Sequence, residues 1–177
     1  MTETSAEIVL GCQRRDREAQ RELYELHRQK VFGLMVRMVG YDDAADLTQQ
    51  VFLKIYETIG QFAGRARFES WMYRVAVNES LQHLRRAGRR RHQTLSHEPP
   101  ARSPGEAERI DHKEILERAL ERLDPDLRAV FLLREVEGLP YREIAESLGV
   151  LQGTVGSQLN RARRRLREYL VELGWEG

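Results

Sequence analysis

The sequence predicts an all-α protein: two small helical domains joined by a flexible linker, the second containing a helix-turn-helix. Apolar residues recur at helical spacing almost everywhere, and no sustained period-two alternation of a half-buried strand appears. One segment, AGRRRHQTLSHEPPARSPGEAE, departs from that texture, being polar, rich in Pro, Gly and Arg and short of aliphatics. Near the carboxyl end, YREIAESLGVLQGTVGSQLNRARRRLREYL sets a short helix, a glycine turn and a longer basic helix in succession. The chain therefore divides into residues 1–86, a linker at 87–108 and residues 109–177.

Taken in order, Leu23, Leu26, Val31, Leu34, Met35 and Met38 form the apolar stripe of a helix from about Asp16 to Val39, ended by Gly40. The next helix, DDAADLTQQVFLKIYETI, opens with Asp42, Asp43 and Asp46, whose carboxylates suit the positive end of a helix dipole. Gly60 and Gly64 mark a loop, and Phe68, Trp71, Met72, Val75, Leu81 and Leu84 trace a further amphipathic helix in which Trp71 is expected to be core. Beyond the linker, Ile110, Ile115, Leu116, Ala119, Leu120 and Leu123 resume the period. Asp124-Pro125 interrupts it, because proline disfavours a helical residue before it and suits the first turn of the next helix. Val130 to Leu133 supply a packed helix ending near Gly138. Tyr141 to Leu148 is short and closed by Gly149, and the last helix turns Val155, Leu159, Ala162, Leu166, Tyr169 and Leu170 inward.

Composition excludes several function classes. With 29 basic and 28 acidic residues, the chain cannot bind polyanions by bulk charge, so any nucleic-acid affinity must come from local segregation. Cys12 alone makes neither a disulfide nor a cysteine-rich zinc site, and His27, His83, His92, His97 and His112 show no ligand spacing. Asp42, Asp43 and Asp46 lack a convergent second ligand set for magnesium. No metal, no cofactor and no catalytic residue set is expected, and the chain does not read as an enzyme. The start, MTETSAE, is acidic and polar where a signal peptide is basic and then apolar, and no membrane-length apolar run follows, so a cytoplasmic protein is expected.

Charge is segregated in the last helix, where Arg161, Arg163, Arg164, Arg165 and Arg167 crowd together. Its outward face carries Ser157, Asn160, Arg161 and Arg164. A helix of this kind after a tight turn fits a major groove, with guanidiniums reaching phosphates or guanine edges. The competing reading is a solvated face with weak surface pairs such as those Glu168 can form.

Read in order, DLTQQVFLKIY, FAGRARFESWMYRVAVN and LREVEGLPYREIAESLGVLQGTVGSQLNRARRRL resemble the two conserved domains of an extracytoplasmic-function (group 4) sigma factor of bacterial RNA polymerase, over about Ala6 to Leu173. The resemblance implies a subunit that docks on core polymerase, recognises a promoter and helps to open its DNA. It places Asp46, Gln49, Gln50, Phe52 and Lys54 near the clamp helices of the polymerase's largest subunit, with Phe52 equally readable as core. It assigns Phe62 and Asn78 to a flipped base of the single-stranded minus-ten element, and Arg65, Arg67, Arg74, Arg85 and Arg86 to its phosphates. Thr154, Gly156, Ser157, Gln158, Asn160, Arg161 and Arg164 fall on the minus-thirty-five reader. An anti-sigma protein is implied as a further partner, holding the two domains inactive with the linker as hinge.

The chain departs from the family pattern at four positions. Ala45 and Gln50 replace glutamates, which makes docking less dependent on charge. Gly156 stands where Lys or Arg is common, and Gln158 where Arg is common. Weaker duplex reading, or a different element, is expected. The alternative class is a stand-alone helix-turn-helix transcriptional regulator, which would leave the clamp-like helix and the capture loop without work.

Overall fold

The computed structural model describes residues 5–93 and 112–175. Among them no strand occurs, and the elements are α1 (Ala6–Gln13), α2 (Arg17–Val39), α3 (Tyr41–Thr58), a 3₁₀ turn (Ile59–Gln61), α4 (Phe68–Gln93), α5 (His112–Glu121), α6 (Pro125–Phe131), a π turn (Leu132–Val136), α7 (Tyr141–Leu148) and α8 (Gln152–Glu172). The stop and start signals read from the sequence fall at these ends. The Asp16 carboxylate accepts from the N–H groups of Glu18 and Ala19 at 2.8 and 3.1 Å and caps α2, while Gly40 closes it at φ 88°. Pro125 occupies the first turn of α6, and Gly149, in the left-handed region at φ 67°, ends α7.

Two features lie beyond the sequence expectation. Helix α1 precedes the first helix that the periodicity marks, and α4 runs on to Gln93, so residues 87–93 of the expected linker are helical. The rest of that stretch, 94–108, lies outside the described residues. The helix expected to end near Gly138 widens after α6 into a π turn, with the Glu137 N–H donating to the Leu132 carbonyl at 3.1 Å.

The first half packs α2 against α3 and α4, burying Leu23, Val31, Leu34, Met35, Ile55 and Met72. The second packs α6, α7 and α8 around Val130, Leu132, Leu133, Ile144, Val155 and Leu159. The halves also pack on each other, α4 against α7 and α2 against α5 and α6. Arg128 crosses that boundary. It is only 6% exposed, and its Nη1 donates to the Met38 carbonyl at 2.6 Å, in the last turn of α2, where the helix dipole favours a cation.

Candidate nucleic-acid and polymerase surfaces

The loop after the 3₁₀ turn folds back on α4 and leaves a cleft of about 540 Å³. Phe62 and Trp71 form its apolar wall, their ring centroids 5.6 Å apart, with Phe68 packed behind both at 5.6 and 5.7 Å. Asn78 offers its amide about two helical turns beyond Trp71, and Lys54, Arg65 and Arg74 bring positive charge to the rim. An aromatic wall facing an amide with cations around it suits an unstacked base and its phosphate. Trp71, expected to be core, is half-buried: it packs against the core beside Phe68 and also lines this cleft. Lys54, expected at the polymerase, also borders it.

The other cations assigned to single-stranded DNA sit differently. Arg67 lies outside this cleft and pairs with Glu69 at 3.7 Å. Arg86 donates to Gln82, and Arg85 faces Asp126 of the second half at 4.0 Å. Arg85, Asn78 and Gln158 line one common cleft of about 440 Å³ between α4 and the helix-turn-helix. Glu146 of α7 reaches the Phe62–Asn78 cleft from the same side. The two surfaces predicted to read DNA are therefore turned toward each other.

On α8, Ser157, Asn160, Arg161 and Arg164 are exposed and Thr154, Gly156 and Gln158 are half-buried. The Ser157 hydroxyl donates to the Thr154 carbonyl at 2.8 Å, as serines do inside helices. Arg163 and Arg165 are engaged with Glu135 and Glu168, whereas Arg161 and Arg164 hold no ion pair among the described residues. The buried Oε1 of Gln158 has no hydrogen-bond partner among them. A Cβ on Gly156 would meet only the Tyr141 ring, at 3.6 Å, which is ordinary contact. Glycine is thus not required there by packing.

Along α3, Asp46, Gln49, Gln50 and Lys54 are exposed, and Lys54 pairs with Glu57 at 3.2 Å. Phe52 is not on that surface. It is 2% exposed and packs edge-on against Tyr24, so its place is in the core, which corrects its assignment to a polymerase contact. Sequence reasoning passed over Tyr41 and Leu53, 74% and 62% exposed, which give α3 the apolar area that an interface core uses. Their exposure is the signal, and it is invisible before the fold is known.

Two polar contacts stitch the halves beside these surfaces. Ser70 of α4 donates to the Glu143 carboxylate on α7. The Tyr73 hydroxyl lies beside Glu137, which follows the π turn, and the two side chains line one cleft. Burial pushes both Tyr73 and Glu137 above their ordinary pKa; at Glu137 the Tyr73 hydroxyl, Arg37 and Lys30 act against that rise.

Comparison with known proteins now bears on this geometry. Residues 23–90 match Sigma-70 region 2 and residues 113–166 match Sigma-70 region 4. The ECF RNA polymerase sigma-E factor of Haemophilus influenzae is 34% identical over 191 aligned positions, covering 96% of this chain and 97% of that protein. This chain belongs to the extracytoplasmic-function sigma factors. The ECF RNA polymerase sigma factor SigE of Mycolicibacterium smegmatis is 37% identical over 159 positions, which is 85% of this sigma factor and 61% of the length of that relative. Among solved structures, the sigma factor RpoE of Bartonella quintana, determined in complex with the anti-sigma factor NepR, superposes with a TM-score of 0.70 at 24% identity over 88% of this chain and 98% of its own. CnrH, solved with the cytosolic domain of CnrY, gives 0.65 at 20% identity over 93% and 96%. Those two likenesses establish the fold. As an alternative sigma factor the chain serves promoter recognition, and the stand-alone regulator is set aside, since both regions occur in order in one chain. No helix among the described residues is long and apolar enough to cross a membrane.

Proposed function

We propose that residues 1–86 dock on core RNA polymerase through the exposed face of α3 and capture a base of the minus-ten single strand, and that residues 109–177 read the minus-thirty-five duplex with α8. The observation that carries this is the cleft lined together by the aromatic rings of Phe62 and Trp71, the Asn78 amide and the guanidinium groups of Arg65 and Arg74. An aromatic face accepts any base, an amide bonds its edge, and the guanidiniums follow the backbone. On α3, Asp46, Gln49 and Gln50, with Tyr41 and Leu53 around them, supply a mixed polar and apolar patch for the clamp helices.

The protein acts in the cytoplasm beside the polymerase, whose active centre performs the chemistry. It needs no cofactor or metal of its own and is not itself an enzyme. An anti-sigma protein is the further partner, as the B. quintana relative has in its complex. It would act on the boundary between the halves, where Asn78 and Gln158 already share one cleft. The test is transcription in vitro with core polymerase and this chain, the transcripts being sequenced. New start sites preceded by a common pair of promoter elements are expected; a transcript set identical to that of core polymerase alone would overturn the reading.

A further inference from the structure

The carbonyls at the root of the capture loop are held by a side chain from the far end of the sequence. Gln13 ends α1, and its Nε2 donates to the carbonyl of Ile59 at 3.1 Å and to that of Phe62 at 3.0 Å. An amide nitrogen has two N–H groups, and both are used here. The Ile59 carbonyl also accepts the Phe62 N–H at 3.0 Å, so the entry to the loop is tied once from within and twice from α1.

Helix α1 is a firm base for such a tie. Ser5 caps it, the Oγ accepting from Ile8 N–H at 3.3 Å, and Val9 and Cys12 are buried against the core. A Cβ on Gly11 would stand 2.5 Å from the Cβ of Ala19, so only glycine allows α1 to lie this close on α2. Two residues on, Gln13 has little freedom to reach anywhere but the loop. Gln13 itself borders a groove behind Phe62, on the opposite side of the loop from the cleft that holds Asn78.

We propose that Gln13 is a positioning residue for strand capture: by fixing the two carbonyls that flank the turn it fixes the angle at which the Phe62 ring faces Asn78. The inference rests on the reading of that cleft as the minus-ten site. Gln13 touches no DNA and acts only through Phe62. It also follows that α1, which precedes the region matched to Sigma-70 region 2, belongs to the capture apparatus.

The experiment uses the full chain bound to core polymerase and a pool of single-stranded oligonucleotides randomised over a short window, with enrichment read by sequencing. Gln13→Leu, and the nearly isosteric Gln13→Glu, which has no N–H to give, should reduce the preference at one base position roughly tenfold, within the range of one aromatic base contact. Preferences at neighbouring positions and retention on core polymerase should persist. Gln13→Lys keeps N–H donors on a flexible side chain one bond longer and should restore most of the preference. Phe62→Ala is run beside them. If Phe62→Ala loses the preference and Gln13→Glu keeps it within about twofold, the positioning role is overturned while the cleft reading stands. If Phe62→Ala keeps it, the cleft reading fails and takes the inference with it. A uniform loss at all positions together with a lower thermal midpoint, unrescued by Gln13→Lys, would mean that Gln13 serves only stability.

Discussion

The packing of α7 on α4 sets a prediction that can be worked from the bonds at that seam. Replacing Ser70 by alanine and Tyr73 by phenylalanine removes two hydroxyls on residues 7% exposed or less, one donating to the Glu143 carboxylate and one beside the Glu137 carboxylate. Both changes lie in the first half and remove no apolar atoms from its core, so the folding of each half should be largely unaffected. A hydrogen bond to an ionised acceptor contributes about 1.5–3 kcal/mol. Both carboxylates keep partial access to water, so the lower end applies, about 1.5 kcal/mol for the Ser70 bond, to which loss of the Tyr73 hydroxyl adds. At about 1.4 kcal/mol per factor of ten, the ratio of closed to open arrangements should fall by roughly tenfold or more. Energy transfer between dyes on Glu22→Cys and Arg167→Cys reads that ratio. The native Cys12, 1% exposed and with its thiol pushed up to about 11, should stay unlabelled at neutral pH. The double variant should show lower transfer and bind single-stranded DNA more readily, since Glu146 and Gln158 leave the Asn78 side of α4. Unchanged transfer in a folded double variant would refute the argument that these bonds hold the halves together.

Glu137 should make the same seam respond to pH. Its pKa in the closed form is raised, so the closed form binds the proton more tightly than the open one, and closure weakens as pH rises from about 4.5 through the elevated value. Its surroundings are Tyr73, Lys30, Arg37, Arg67, Glu69 and Glu143. Glu137→Gln should hold the halves together at neutral pH and flatten this dependence in the transfer assay; a steeper dependence would contradict it. Gly156→Arg has room for its Cβ beside Tyr141 and should steepen the logarithmic salt dependence of minus-thirty-five duplex binding by about 0.9 if the new guanidinium meets a phosphate. Arg161→Ala should lower that slope, and anisotropy across a salt series measures both. Joint replacement Asp46→Lys and Gln49→Ala should weaken retention on core polymerase with helicity intact, whereas Leu47→Ala, at a site 2% exposed, should cost about 2–5 kcal/mol of stability. Equal retention of the joint variant at limiting polymerase would remove α3 from the interface.

What the sequence shows and what it hides divide along the range of the interactions. Helix α2 is legible because a long apolar stripe, an aspartate cap and a glycine stop all act within a few residues of one another, and α7 is legible for the same reason. Helix α1 has only eight residues with Gly11 among them, too short to stand by local propensity, and it exists through its packing on α2. Arg128 reads as one more solvated arginine until the fold brings the Met38 carbonyl to it from 90 residues away. The arginine run of α8 carries the same lesson. Its density identifies the basic helix, but Glu135, 28 residues upstream, takes up Arg163, and Glu168 takes up Arg165. The guanidiniums ready for phosphate are therefore fewer than the run suggests, with Arg161 and Arg164 foremost among them. Asn78 and Gln158, each recognisable from its motif, share one cleft because the halves pack on each other, with distant polar groups such as Glu143 and Arg128 bonded across the boundary. Local pattern thus marks the surfaces proposed for the minus-ten single strand and the minus-thirty-five duplex, and only the long-range contacts across the seam show that the two are turned toward each other.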